Sequence, residues 1–323
     1  MEFRLAFDPP AFQQKITIHD KIFMIGSCFT DHIHSYFSTY KFNCLDNPHG
    51  TLFNPISIFK SLEQYIDNHV VEQEELFNQN GIWNHWDFHS KVSDYQKDIA
   101  VTKMNTAISN AHFFLKKSNW LIITLGSGFV YEFKDQFVVA NCHKVPAGDF
   151  KKRMLSFQEI EESFKRLYQK LKTFNPQLKI VFTISPVRHL RDGFVENNRS
   201  KAVLIHTVSN LINEEDIFYF PSYELIIDDL RDYRFYAEDM VHPNYQSTQY
   251  VWEKFCNACI EGKTRAYMNE LDQLINAIKH RPMHPNSIDH LKFMEKYKQI
   301  TIDLSSRFPD LNWHKELAHF TQN

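Results

Sequence analysis

A chain of 323 residues with 43% hydrophobic and 23% charged residues has the composition of a folded globular protein, and no segment is polar or repetitive enough to be disordered by composition. The formal net charge of −3, with both signs interspersed, argues against a basic face for nucleic acid. No apolar run approaches the roughly 20 residues that span a bilayer, and the opening residues lack the apolar core and cleavage site of a secretory signal, so the sequence reads as cytoplasmic.

Five short apolar runs, at residues 21–25, 42–45, 120–125, 179–184 and 217–220, are rich in branched or aromatic side chains and are closely followed by Gly, Pro, Ser or Asn. They predict strands buried on both faces. Helices predicted at 55–69, 95–116, 197–212 and 243–259 fill the crossovers that parallel strands require. Ile160, Phe164, Leu167 and Leu171, at steps of 4, 3 and 4, share one face of a further helix. The alternation predicts an α/β fold: a three-layer α/β/α sandwich around a mainly parallel five-stranded sheet.

Residues 129–133 and 136–140 flank Lys134-Asp135 and predict a β-hairpin that brings Asn141, Cys142 and His143 back near Gly126. After about Gly262 the pattern is helical only. Residues 1–262 are therefore expected to form one domain, and 263–323 a helical extension packed on it or on a second subunit. Five scattered cysteines do not make a disulfide framework. Cys256 and Cys259 match CxxC formally but lack a second pair for zinc, so helical packing is their expected role and no metal or cofactor is expected.

In open parallel sheets, reactive groups collect at the carboxyl ends of the strands. The first strand ends in Gly26-Ser27-Cys28-Phe29, which places Ser27 where a strand turns sharply into a helix. A hydroxyl there is expected to be exposed, beside N–H groups that favour developing negative charge. Helix capping is the plainer role for such a serine, because a serine is a weak nucleophile without a base. The segment Asp239-Met240-Val241-His242-Pro243 supplies one. An Asp and a His three apart on one loop can face the same way, so that the carboxylate holds one imidazole nitrogen and the other meets the serine. Pro243 is expected to open the following helix.

With these residues in hand, the sequence resembles the GSCFA family, itself similar to the GDSL/SGNH esterase group. The resemblance rests on Gly26 to Phe29, where Thr30 replaces the family's alanine, and on the DxxHP segment ending at Pro243. It also rests on the blocks at 50–55, 125–131, 141–146, 185–189 and 229–243. It implies a flavodoxin-like sandwich and ester hydrolysis through an acyl-serine, with a carbohydrate O-acyl ester, or another small-molecule or lipid ester, as substrate. Residue by residue, it implies Ser27 as nucleophile, His242 as base and Asp239 in support. It further implies an oxyanion hole from the N–H groups of Ser27 and Gly50. The wider group has a Gly-x-Asn-Asp segment after the third strand, where this chain has Gly126-Ser127-Gly128-Phe129. Asn141 is the candidate substitute donor, with Asn54 and Ser127 as others at the substrate site.

His143, Arg188 and His189 lie on the same predicted rim as substrate-binding candidates, and Ser185 is a competing but partnerless serine. His85 and His89, four apart among aromatics, suit packing or pocket lining better than metal binding. Three alternatives stay open at this point. One is an O-acyltransferase on the same site, another is a non-catalytic binding protein that keeps the pocket, and the third is a metal-dependent hydrolase using His143, His189 or His242.

Overall fold

The computed structural model describes residues 5–213 and 215–321. The chain begins its fold with β1 (Lys21–Gly26), α1 (Cys28–Thr39), β2 (Asn43–Asp46) and α2 (Pro55–Asp67). A short hairpin of β3 (Phe77–Gln79) and β4 (Ile82–Asn84) precedes α3 (Lys97–Leu115) and β5 (Trp120–Leu125). An antiparallel insertion follows, built from β6 (Phe129–Phe133), β7 (Phe137–Val139) and β8 (Phe150–Met154). The alternation then resumes through α4 (Phe157–Phe174), β9 (Lys179–Ile184), α5 (Gly193–Leu211) and β10 (Ile217–Phe220). The short α6 (Ser222–Glu224) runs into a π-helical turn, and α7 (Tyr245–Cys259), α8 (Gly262–Lys279), α9 (Ile288–Arg307) and α10 (His314–Thr321) complete the chain.

The five expected strands pair in the order β10-β9-β5-β1-β2, all parallel. Because alternate strand residues point to opposite faces, β1 sends Ile22 and Met24 into one apolar layer and Phe23 and Ile25 into the other. The first layer is closed by Ile33 and Phe37 of α1, Trp252 and Phe255 of α7 and Leu271 of α8. The second is closed by α2, α3, α4 and α5, with Ile160, Phe164, Leu167 and Leu171 all buried as their spacing requires. The result is the three-layer α/β/α sandwich. The strand order reverses at β1, whose neighbours β2 and β5 continue in opposite directions, and ligands of such sheets bind above that reversal.

Several local features differ from expectation. The hairpin is one part of a three-stranded sheet, because β8 pairs with the other edge of β6. The β3–β4 hairpin turns at Asn80-Gly81, both at positive φ. Pro243 does not open α7. It precedes the cap residue Asn244, whose side chain accepts from the Ser247 N–H, so the helix starts at Tyr245. Beyond residue 262, Tyr267, Leu271, Leu274, Leu304 and Phe320 share the apolar layer under α7. Cys256 and Cys259 are buried on α7 with free thiols. No described helix is long and apolar enough to cross a membrane.

Candidate active site

Strand ends converge above the reversal at β1. Gly26 adopts φ +142°, and a Cβ there would lie 2.1 Å from the Thr124 carbonyl oxygen, so only glycine lets β1 end this close to β5. The Gly26 N–H donates to the Asn47 side chain at 2.8 Å, and the Asn47 amide donates to Asp31 on α1 at 2.7 Å. Asn47 thereby ties the β1–α1 turn to the end of β2.

Ser27 follows as the N-cap of α1, accepting from the Phe29 N–H at 3.4 Å, a contact longer than ordinary N–H···O bonds. Contrary to the expected exposure, Ser27 is only 1% exposed, because the β2 loop and the end of β5 close over the turn. Its own N–H donates to the Thr124 carbonyl at 3.1 Å, and the Gly50 N–H donates to the Asn47 carbonyl at 2.7 Å. Both expected oxyanion donors therefore already have backbone acceptors.

Asp239 and His242 sit on a compact loop closed by the Ala237 N–H to His242 carbonyl bond and by a bridge between Tyr236 and Pro243. Met240, between them, is held at φ +58°. Asp239 Oδ2 meets His242 Nδ1 at 2.6 Å, while its Oδ1 accepts the N–H groups of Val241 and His242. These bonds to His242 and Val241 pull the Asp239 carboxyl down to about 2, so it is ionised throughout the neutral range. With Nδ1 engaged, the other imidazole nitrogen is the one available for proton transfer. No hydrogen bond joins His242 to Ser27 among the described residues.

The remaining candidates divide by what they already hold. Asn54 caps α2 and spends its amide on Ser57, and Ser127 bonds Ser200 and the Phe129 N–H. Asn141 accepts from the His143 N–H, and His143 Nε2 bonds the His85 carbonyl, which keeps both by the aromatic loop around Trp86. Burial lowers the His143 pKa to about 4. Arg188 bonds the Val241 carbonyl through its N–H and lies over the Tyr236 ring, so it adjoins the His242 loop. A hollow of about 270 Å³ beside it is lined by Arg188, Arg231, Asp228 and Asp232 together with the apolar Ile226 and Ile227 and the rings of Tyr233 and Tyr236. His189 packs edge-on to Phe53, and burial, reinforced by the Lys201 charge, takes its pKa down to about 4. His85 and His89 lie outside any α-helix, and the His89 side chain abuts Gly50. Among the described residues no three His, Cys, Asp or Glu side chains cluster to hold a metal.

Behind Gly50 lies a buried chain of hydrogen bonds. The Tyr65 hydroxyl donates to His49 Nδ1 at 2.6 Å, His49 Nε2 donates to Gln64 at 2.8 Å, and Gln64 and Lys60 both donate to Asp87. Burial drives the His49 pKa down to about 3, so the ring is neutral.

Two residues of the site escaped sequence reasoning. Asn47 carries no periodic signal. Lys201 does: Asn197, Lys201, Leu204, Val208 and Leu211 follow at steps of 4, 3, 4 and 3, which puts a lysine on the buried face of α5. It is 1% exposed, and its ammonium donates to the Gly126 carbonyl at 2.7 Å and the Ser185 carbonyl at 2.6 Å, joining the ends of β5 and β9.

The GSCFA family model matches residues 21–255, which spans every strand end of the site. The chain belongs to the GSCFA family. A second model, the GSCFA domain protein C-terminal domain, matches residues 271–323. Among curated proteins, no sequence matches this GSCFA chain. Solved structures similar to it include a carbohydrate esterase family 3 protein from Talaromyces cellulolyticus, at 9% identity and TM-score 0.35, covering 79% of this chain and 99% of that one. A mutant acetyl esterase with acetate ion aligns at 9% identity and TM-score 0.36, with the same coverage of 79% and 99%. An acetyl xylan esterase, Est2A, from Butyrivibrio proteoclasticus aligns at 11% identity and TM-score 0.35, over 84% of this chain and 66% of that one.

Proposed function

We propose that this GSCFA protein is a serine hydrolase of carbohydrate or other small-molecule O-acyl esters. The observation that carries the reading is the Asp239–His242 pair at 2.6 Å, on a compact loop held through the Val241 carbonyl by Arg188, just past the end of β9. His242 takes the Ser27 proton as Oγ attacks the ester carbonyl. The tetrahedral oxyanion meets the first turn of α1, and the N–H groups of Ser27 and Gly50 exchange their backbone acceptors for it. Collapse expels the alcohol, protonated by His242, and leaves an acyl-serine that water then hydrolyses with the same base. The 3.4 Å cap contact of Ser27 is weak enough to be given up when Oγ turns to His242. The hollow beside Arg188, which pairs charged groups with Ile226, Ile227, Tyr233 and Tyr236, suits an alcohol part with both polar and apolar faces. A sugar hydroxyl in place of water would make the same site an acyltransferase.

The engaged N–H groups of Ser27 and Gly50 favour a second reading, a ligand-binding relative without turnover. Labelling with a fluorophosphonate separates the two. The native chain should be labelled, Ser27→Ala not at all, and His242→Ala about 10²–10⁴-fold more slowly. Labelling that persists in Ser27→Ala, or is absent from the native chain, refutes the hydrolase.

A further inference from the structure

Lys201 is the charged group that the hydrolase mechanism leaves unused. A lysine this deeply buried is costly unless something compensates its charge, and compensation ordinarily comes from a carboxylate. Here the partners are neutral: the Gly126 and Ser185 carbonyls, with the Tyr223 ring 5.8 Å from Nζ. Among the described residues no carboxylate lies within ion-pair distance. The titratable groups that face Lys201 are Cys28 on α1, His189 after β9 and Tyr223 on α6. Cys28 immediately follows Ser27, so the electrostatic interaction of the ammonium with Cys28 reaches the turn that would meet the ester's oxyanion. Its clamp also fixes Gly126, two residues past the Thr124 carbonyl that holds the Ser27 N–H.

We propose that Lys201 is a positioning residue for Ser27. It pins the ends of β5 and β9 and, as a buried positive charge, stabilises the oxyanion where the GSCFA chain lacks an asparagine donor after the third strand. The role rests on Ser27 being the nucleophile. Desolvation lowers the Lys201 pKa to about 7, so the charge is present below neutrality and fades above it.

Two readouts test this. Fluorophosphonate labelling of Ser27 should slow in the native chain as pH rises past about 7. Lys201→Arg, whose charge does not titrate, should lose that falling limb and keep its rate, and Lys201→Met should be about tenfold slower at pH 6.5. Iodoacetamide alkylation of Cys28, followed by peptide mass spectrometry, reads the field without reference to esterase activity. Burial and Asp31 push the Cys28 thiol up and the Lys201 ammonium draws it down, so folded Lys201→Met should alkylate about tenfold more slowly at pH 6.5 and match the native chain above pH 8.5. Identical Cys28 profiles in native and Lys201→Met overturn the charge role even when Ser27 is labelled. If Lys201→Met does not fold, labelling profiles from pH 6.5 to 9 that are identical in the native chain and Lys201→Arg overturn it instead. A native chain that is never labelled removes the nucleophile, and this role with it, while the Cys28 profiles still report whether the charge was there.

Discussion

Gly26→Ala tests the most constrained point of the site. The added methyl would stand 2.1 Å from the Thr124 carbonyl oxygen, 2.8 Å from its carbon and 2.9 Å from its nitrogen, all backbone atoms that no rotamer can move aside. The φ of +142° adds strain of about 1–3 kcal/mol for any residue with a Cβ. Parting the strands costs about 1–3 kcal/mol more for the overpacked contact, and losing the Ser27 N–H to Thr124 bond about 0.5–1.5 kcal/mol. Together these come to about 2.5–7.5 kcal/mol, a large share of the roughly 5–15 kcal/mol that holds a typical domain together. Urea unfolding followed by circular dichroism measures it. The expected result is a strongly lowered midpoint with an unchanged slope. An unfolding free energy within about 0.5 kcal/mol of the native value would refute the steric reasoning, since that is the effect of an indifferent surface substitution.

Two further outcomes follow from the same region. Because the Lys201 pKa falls from 10.5 to about 7 on folding, the unfolded chain binds the extra proton between those values, and stability contributed at this position rises with pH across that window. From pH 7 to 9 the native chain should gain about 2 kcal/mol relative to Lys201→Met, read as the difference of two urea titrations, and parallel pH dependences would contradict the buried titration. Asn47→Ala leaves the Gly26 N–H without its acceptor and releases Asp31, which should lower stability by about 1–3 kcal/mol and slow fluorophosphonate labelling of Ser27. Retention of both would mean that the β1–α1 turn does not depend on this amide.

The sheet was legible because strands buried on both faces must be apolar throughout, and runs such as Trp120–Leu125 are too short for any other buried element. The Asp239–His242 pair was legible for a local reason: a spacing of three on one loop is enough to bring the side chains together. What stayed hidden depends on distant chain. β8 reads Phe-Lys-Lys-Arg-Met, polar because it is an edge strand over solvent, and it forms only once β6 offers a partner. Asn80-Gly81 marks a hairpin turn, but its flanking strands are three residues each and carry no alternation to read. The burial of Ser27 goes with contacts from distant chain, the β2 loop bonded to Met24 and Gly26 and β5 bonded to Ser27 itself, all 20 residues and more apart. Lys201 leaves a trace in its helical spacing, but a lysine on an apolar face is ordinarily discounted.

The hydrogen-bond chain behind Gly50 sets the two sides of the strand ends apart. His49 takes up a proton only near pH 3, so the Tyr65–His49–Gln64 side keeps one arrangement of donors and acceptors across every physiological condition. Lys201, on the β5–β9 side, changes charge close to neutrality. A shift of pH around neutrality therefore leaves the His49 network as it is while it alters the charge that holds Gly126 and Ser185.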